Sequence, residues 1–139
     1  MSKQQHLVLD IGNTHTKYGY FEANALKESG KCSDWSMHEW ASFHLKAPFT
    51  TVLVGSVGAS TKQILSLLPQ SCDFAFIDDT TKYPFTTAYD DINTLGIDRR
   101  AALSGAMATH PNTPVLVIDA GSCITYDFMD ANGHHAGGA

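Results

Sequence analysis

The sequence predicts an α/β protein with a mixed β-sheet, followed by the opening strands of a second, duplicated domain. Segments with strand and helix patterns follow one another in the order β-β-β-α-β-α-β-α. A strand ending in Asp-x-Gly, a polar turn and a second strand then occur twice, and one constant offset relates Asp10 to Asp119 and Gly12 to Gly121. Such internal repetition indicates a duplicated domain.

The repeat also sets the predicted domain boundary. The same offset relates Thr16 to Thr125, so the two copies match through their turns. We assign residues 1–114 to the first domain and residues 115–139 to the beginning of a second, apparently truncated one. In such a fold the two polar turns are expected to face each other across a cleft and hold one phosphate chain.

Composition excludes several classes of protein. The chain has 139 residues, of which 43% are hydrophobic and 17% charged, as is typical of a folded globular protein. Its net charge of −5 argues against nucleic acid as a partner. The cysteines form no CxxC pair, which favours a reducing cytoplasm. No leader or membrane-spanning run is evident, so we expect a cytoplasmic protein with no membrane partner.

The first polar turn carries groups that suit a phosphate chain. Gly12 lets the backbone approach a ligand closely because it has no Cβ. Thr14 and Thr16 add hydroxyls, Lys17 adds a mobile cation, and the turn adds backbone amides. Asp10 has the wrong charge to contact phosphate, so we expect it to face a metal ion or its water shell. A hairpin whose turn happens to be polar is the structural alternative.

Capping signals and hydrophobic periodicity predict the other elements of the first domain. Ser36 and Ser60 each begin a capping box and so predict the start of a helix. Trp40 and Phe43 are expected to face inward from the first of these helices. The remaining predicted strands cover residues 27–32, 51–57 and 73–77.

The long irregular stretch 78–94 and the helix after it, at 96–109, carry a second group of candidate residues. A loop of this length in a compact domain is usually functional. Asp98 is either an ordinary N-cap or a functional carboxylate. Arg99 and Arg100 are the only arginines in the chain, and both lie in the first turn, where the helix dipole disfavours cations. Their position suggests an anionic ligand.

Two glycine positions and two histidines lead to local predictions. Gly105 inside the helix costs about 1 kcal/mol relative to Ala, which suggests close packing on a neighbouring element. Asn132-Gly133 favours a hairpin turn of the primed type. His134 and His135 are adjacent on a strand and point to opposite faces, so we do not predict a histidine metal site.

Three motifs, in this order and at these spacings, resemble the type III pantothenate kinase family, a member of the acetate and sugar kinase, Hsc70 and actin superfamily. The resemblance implies ribonuclease H-like domains. The motifs are Asp10-Ile11-Gly12-Asn13-Thr14-His15-Thr16-Lys17, similar to a DxGNT-x-x-K phosphate loop; Gly96-Ile97-Asp98-Arg99, similar to a GxDR substrate motif; and Asp119-Ala120-Gly121-Ser122 with Thr125, similar to DxGTA-x-T.

The resemblance implies ATP-dependent phosphorylation of pantothenate to 4'-phosphopantothenate, the first step of coenzyme A biosynthesis. Residues 10–17 and Ser122 would bind the phosphates of ATP, with Asp10 orienting Mg²⁺ through water. Asp98 would accept the proton of the attacking hydroxyl. Asp119 would bind a monovalent cation, K⁺ or NH₄⁺. The remaining substrate-binding positions would be Tyr89, Gly96, Ile97 and Arg99, the last pairing with the pantothenate carboxylate.

Two departures from the family pattern accompany the resemblance. Ser122 stands where the family usually has Thr, which keeps the hydroxyl. The chain also resembles only the N-terminal half of the family plus the first hairpin of the second half. We therefore expect residues 1–139 alone to be inactive and to aggregate or form oligomers, and the family implies a homodimer. The alternatives are another sugar kinase of the superfamily or a non-catalytic regulatory accessory protein.

Overall fold

A computed structural model describes residues 4–56 and 61–139, which form a mixed α/β structure with two mixed sheets. The chain divides into two compact units, Met1–Asp78 and Asp79–Ala139, called here the first unit and the second unit. Within the described ranges, no helix is both long enough and apolar enough to cross a membrane.

The first unit is built on a five-stranded sheet in the order β3-β2-β1-β4-β5. The pairs β1–β2 and β2–β3 are antiparallel, and β1–β4 and β4–β5 are parallel. Its strands are β1 Gln5–Ile11, β2 Thr16–Glu22, β3 Ala25–Lys31, β4 Thr51–Ser56 and β5 Asp73–Phe76, and its helices are α1 Met37–Lys46 and α2 Thr61–Leu67.

Alternating side chains and one helix face form the core of the first unit. Leu7, Leu9 and Ile11 are buried on one face of β1, as the period of a strand requires. Trp40 and Phe43 are buried on α1, as predicted from their helical spacing.

The two predicted capping boxes have different outcomes. Ser36 Oγ accepts the Glu39 N–H, and the Glu39 carboxylate accepts the Ser36 N–H at 2.6 Å, so the first capping box is confirmed. The second one begins at Ser60, which lies outside the described residues.

The second unit contains a four-stranded sheet in the order β6-β9-β8-β7. A small core of Phe85, Leu95, Leu103 and Met129 holds the sheet and helix together. Strand β6 was not predicted, because it is a two-residue strand inside a polar loop and pairs only with β9, far along the chain. The elements are β6 Thr86–Thr87, a 3₁₀ turn Ile92–Thr94, α3 Ile97–Thr109, β7 Val115–Ala120, β8 Ile124–Met129 and β9 His134–Gly138.

The division into units differs from the predicted domain boundary. Residues 79–114, including α3, group with β7–β9 rather than with the first sheet. The predicted boundary at 114/115 rests on internal repetition, which is a different criterion from compactness. The assignment of residues 1–114 to one duplicated domain therefore stays a prediction.

Two local predictions for the second unit, those for Gly105 and for the Asn132-Gly133 turn, are wrong, and so is the N-cap alternative for Asp98. Gly105 is exposed, and a Cβ there would meet no atom of the described residues within 4 Å, so this glycine does not mark close packing. The N-cap of α3 is Gly96, whereas Asp98 lies inside the first turn of the helix. At the β8–β9 turn only Gly133 has a positive φ, and its N–H donates to the Asp130 carbonyl at 3.1 Å. That geometry excludes the primed turn at Asn132-Gly133, which needs positive φ at both residues.

One face of the β7–β8 hairpin is apolar and exposed. Leu116 lies opposite Phe128 in the register, and Ile118 lies opposite Tyr126. These large side chains, together with Ile124, are between 45% and 59% exposed. A contiguous apolar surface of this kind favours association, and the expected tendency to aggregate or form oligomers stays a prediction.

Candidate functional site

The turn between β1 and β2 presents unpaired backbone donors. Its ends are fixed, because the Gly12 N–H donates to the His15 carbonyl at 3.1 Å and the Thr16 N–H donates to Ser33 Oγ at 3.0 Å. Between these ends, no hydrogen bond among the described residues uses the amides of Asn13, Thr14 or His15. All three residues are exposed, so their N–H groups are available to an anion.

A cavity of about 320 Å³ lies next to this turn, within the first unit. Residues 12–16 form one wall, and Trp35, Trp40 and Ile64 form an apolar part of the lining. Ser33 also lines the cavity and adds a hydroxyl to its polar part. Its volume is at the low end of the range for small-molecule sites.

Asp10 and Lys17 flank the turn and are both exposed. They lie opposite each other in the β1–β2 register. A carboxylate oxygen is the kind of ligand that Mg²⁺ takes, usually through retained waters, so the exposed Asp10 carboxylate fits the predicted metal role. Thr16 is 3% exposed, and its carbonyl accepts the Cys32 N–H at 2.9 Å. Thr16 therefore contributes to holding the turn in place, whereas Thr14 is exposed.

The second polar turn, between β7 and β8, is one residue shorter than the first. Its closing hydrogen bond runs from the Gly121 N–H to the Cys123 carbonyl at 3.0 Å. As a consequence Thr125 lies opposite Asp119, which is where Lys17 lies relative to Asp10 in the first hairpin. The constant sequence offset that paired Thr16 with Thr125 therefore fails inside the turn, where one residue is missing.

Asp119 and Ser122 are both exposed at this second turn. The carboxylate of Asp119 is chemically suited to bind a cation, and the hydroxyl of Ser122 is suited to donate a hydrogen bond to a phosphate oxygen, as predicted for each residue.

Asp98 lies in the first turn of α3 with an exposed carboxylate. Its Oδ1 accepts the Arg99 N–H at 2.9 Å. A Cβ at Gly96 would lie 2.6 Å from the same oxygen, so glycine at this position leaves room for the carboxylate. Ile97, the first residue of α3, is half-buried.

Arg99 and Asp127 form a bidentate ion pair inside the second unit. Arg99 Nε donates to Asp127 Oδ2 at 2.8 Å, and Arg99 Nη2 donates to Oδ1 at 2.7 Å. The hydrogen bond to Asp127 raises the pKa of the Arg99 guanidinium, although partial burial lowers it, and the Tyr89 hydroxyl adds to the rise. Burial raises the pKa of Asp127, but hydrogen bonds from Arg99 and His135 outweigh burial and the net pKa is lowered.

Tyr89 joins the same cluster through His135. The two rings stack with centroids 5.4 Å apart and planes 13° from parallel. His135 Nε2 lies 2.8 Å from Asp127 Oδ1, and His135 Nδ1 lies 2.9 Å from Thr87 Oγ1. The structure therefore connects the two predicted substrate residues, Tyr89 and Arg99.

Sequence reasoning did not find Thr87, Asp127 and His135. A signal for Asp127 was available, because alternation along β8 places it on the same side as the buried Met129. A carboxylate at an inward position needs a buried partner. Nothing local in the sequence indicates that the partner is Arg99, which lies 28 residues earlier in the chain.

Arg100 also has protein partners. It is 3% exposed, its Nη1 donates to Asn93 Oδ1 at 2.9 Å, and its guanidinium carbon lies 5.3 Å from the Tyr83 ring centroid. Both arginines therefore have protein partners, and their position in the first turn of α3 does not by itself indicate an anionic ligand. Asp127 already accepts hydrogen bonds from Nε and Nη2 of Arg99. An anionic ligand would therefore have to contact the N–H groups of Arg99 that do not bond to Asp127.

The structure is that of a mixed α/β protein whose two polar turns carry groups with the chemistry that anionic ligands and cations require. Comparisons with known proteins identify its family. A family model described as type III pantothenate kinase matches residues 6–139. The chain therefore belongs to the type III pantothenate kinase family.

Individual relatives agree with this assignment. The chain is 34% identical over 135 residues to the type III pantothenate kinase of Flavobacterium psychrophilum, covering 96% of this chain and 56% of that protein. It is 36% identical to that of Phocaeicola vulgatus, covering 96% and 55%, and 35% identical to that of Porphyromonas gingivalis, covering 96% and 54%. The chain thus spans about half the length of the curated relatives it matches.

Proposed function

We propose that the whole protein is an ATP-dependent pantothenate kinase that forms 4'-phosphopantothenate, the first step of coenzyme A biosynthesis. The observation that carries the proposal is the family match, which extends over residues 6–139. Phosphoryl transfer depends mainly on positioning and on neutralising charge. The exposed amides and carboxylates and the partly buried Arg99 guanidinium are groups suited to both tasks.

The turn after β1 is proposed to bind the phosphates of ATP, and Ser122 is proposed, as a separate assignment, to be a phosphate-contacting residue. The amides of Asn13, Thr14 and His15, which no described residue pairs, support the role of the turn, as does the mobile cation of Lys17. Mg²⁺ held near Asp10 through water would neutralise phosphate charge, and K⁺ or NH₄⁺ would be held near Asp119.

Pantothenate is proposed to bind in the second unit. Asp127 occupies only the Nε–Nη2 edge of the Arg99 guanidinium. The Nη1–Nη2 edge is left for the pantothenate carboxylate, which matches its fork geometry. Tyr89 would close the pocket, Gly96 and Ile97 would line it, and Asp98 would accept the proton of the attacking hydroxyl.

The proposal also includes a ribonuclease H-like first domain and a duplicated second domain. The strand order β3-β2-β1-β4-β5 supports a ribonuclease H-like first domain. The two hairpins that follow an Asp-x-Gly pattern support a duplicated second domain, although the second turn is shorter. We also propose that the protein is a cytoplasmic homodimer, which light scattering on the whole protein would test.

A substrate comparison tests the proposed function. The whole protein is incubated with ATP, Mg²⁺ and K⁺ together with either pantothenate or N-acetylglucosamine, and the products are identified by mass spectrometry. We expect 4'-phosphopantothenate and no phosphorylated sugar. Phosphorylation of the sugar alone would favour another sugar kinase of the superfamily, and no phosphorylation of either would favour the regulatory accessory protein.

A further inference from the structure

An unbroken set of hydrogen bonds links Tyr89 to Arg99 through three residues of the second unit. The Tyr89 N–H donates to Thr87 Oγ1 at 3.2 Å, and Thr87 Oγ1 lies 2.9 Å from His135 Nδ1. On its other side, His135 Nε2 lies 2.8 Å from Asp127 Oδ1, and Asp127 accepts both bonds from Arg99. The two predicted substrate residues are thus the ends of one network.

The donors and acceptors around His135 indicate which ring nitrogen carries the proton. Asp127 accepts from Arg99, so its carboxylate also accepts the proton on His135 Nε2. Thr87 Oγ1 already accepts from the Tyr89 N–H and can give its own proton to His135 Nδ1. With a proton on Nε2 and none on Nδ1, His135 donates to Asp127 and accepts from Thr87, so the polar side-chain atoms of both Asp127 and His135 are paired, as a buried polar network requires.

Burial separates the residues that can touch a substrate from those that cannot. The side chain of Asp127 is 2% exposed and that of His135 is 0% exposed, whereas the Arg99 side chain is 19% exposed. Asp127 and His135 therefore act on a ligand only through the residues that they hold. A Cβ at Gly138 would lie 2.7 Å from Arg99 Nη2 and would collide with the Asp127 carboxylate, so glycine there leaves room for the ion pair.

We propose that Asp127 and His135 are positioning residues that hold Arg99 and Tyr89 in the geometry that binds the pantothenate carboxylate, an inference that rests on the proposed function. Asp127 fixes the plane of the guanidinium by taking its Nε–Nη2 edge, so the Nη1–Nη2 edge keeps one orientation. His135 fixes Asp127 by hydrogen bonding and fixes the Tyr89 ring by stacking. Preorganised donors reduce the ordering cost of binding.

The first test replaces Asp127 in the whole protein. Asp127→Asn keeps the size of the side chain and removes the charge that holds Arg99. We expect the KM for pantothenate to rise about tenfold or more, while the KM for ATP and kcat stay close to wild type. Asp130→Asn is the matched control, because Asp130 lies at the β8–β9 turn and its Oδ1 accepts the backbone N–H groups of Asn132 and His134.

A second pair of variants provides a test that does not depend on whether Asp127→Asn folds. Thr87→Val removes the hydroxyl that bonds to the buried His135, and Thr86→Val removes the equivalent hydroxyl that bonds to His134 at 2.9 Å on the opposite face of the strand. Each substitution is nearly isosteric and lies in the same short strand. We expect Thr87→Val to raise the KM for pantothenate about threefold and Thr86→Val to leave it unchanged.

The outcomes separate this inference from the proposed function. Circular dichroism first establishes that each variant is folded at the assay temperature. A wild-type protein that phosphorylates no pantothenate overturns the proposed function. An active wild type in which Asp127→Asn changes both KM values equally, or in which Thr87→Val behaves like Thr86→Val, overturns the positioning role alone. If Asp127→Asn does not fold, the Thr87→Val and Thr86→Val pair decides.

Discussion

Arg99 and Asp127 share two parallel hydrogen bonds of 2.8 and 2.7 Å, so a carboxylate from β8 holds the guanidinium from the first turn of α3 by one edge. A planar fork is required for this arrangement, and lysine does not provide one. The ion pair therefore sets the orientation of the group that we propose binds the substrate carboxylate.

Arg99→Lys should raise the KM for pantothenate by about tenfold or more while changing the KM for ATP little, because lysine keeps the charge and loses the fork. Steady-state kinetics with each substrate varied in turn measure both constants. Arg100→Lys is the control. It should leave both KM values near wild type but lower the Tm, because Arg100 is buried against Tyr83 and Asn93. Equal changes in both KM values for Arg99→Lys would contradict the carboxylate role.

The stability contribution of Asp127 should depend on pH. Its pKa in the folded protein lies below the ordinary value because hydrogen bonds from Arg99 and His135 outweigh burial. A lowered pKa stabilises the fold at pH values above the unfolded pKa of about 3.9, and this contribution disappears as the pH falls through the folded value. Urea unfolding should show Asp127→Asn less stable than wild type by about 2 kcal/mol at pH 7. A difference that stays constant down to pH 2 would contradict the assignment.

Gly105→Ala should stabilise the protein by about 0.5–1 kcal/mol, because alanine is the better helix former and a Cβ would meet nothing within 4 Å in the part of the chain that the structure describes. Thermal unfolding followed by circular dichroism measures the effect. Gly138→Ala is the contrasting variant, since its Cβ would collide with the Tyr126 carbonyl and the Asp127 carboxylate. A destabilising Gly105→Ala would indicate that another surface covers this face of α3.

The cysteines should differ sharply in reactivity. Burial raises the pKa of the Cys32 thiol to about 12 and also raises that of Cys72, whereas Cys123 is exposed in the second polar turn. The thiolate is the reactive form, so Ellman's reagent should modify only Cys123 in the native protein. Denaturant should expose the other two, and Cys123→Ser should abolish the native reaction. Rapid native labelling of Cys32 would contradict the burial described here.

Local signals correctly predicted most of the helices and strands in the described residues. The β1–β2 hairpin and the capping box at Ser36 depend on residues a few positions apart, and the structure has both. Strand β6 was missed because its partners, His134 and His135, lie 48 residues further along the chain. The close packing predicted at Gly105 was wrong for a related reason. A glycine inside a helix lowers helix stability by the same amount whether or not another element packs on it, so the sequence does not distinguish the two cases.

The candidate site could be predicted only by residue type and motif. The resemblance singled out Tyr89 and Arg99, and both lie in one cluster of the second unit. Asp127 and His135, which join them, lie on two different strands and belong to no motif. The two arginines also lacked an explanation in the sequence, because their partners Asp127 and Asn93 become neighbours only in the folded chain.

The most direct test of the central claim is turnover by Asp98→Asn in the whole protein. The asparagine side chain keeps an oxygen that can accept the Arg99 N–H, so the variant should fold with a Tm close to wild type. An amide cannot accept the proton of the pantothenate hydroxyl, so formation of 4'-phosphopantothenate from ATP should fall about 100-fold or more. A folded Asp98→Asn protein that forms 4'-phosphopantothenate at the wild-type rate would contradict the account.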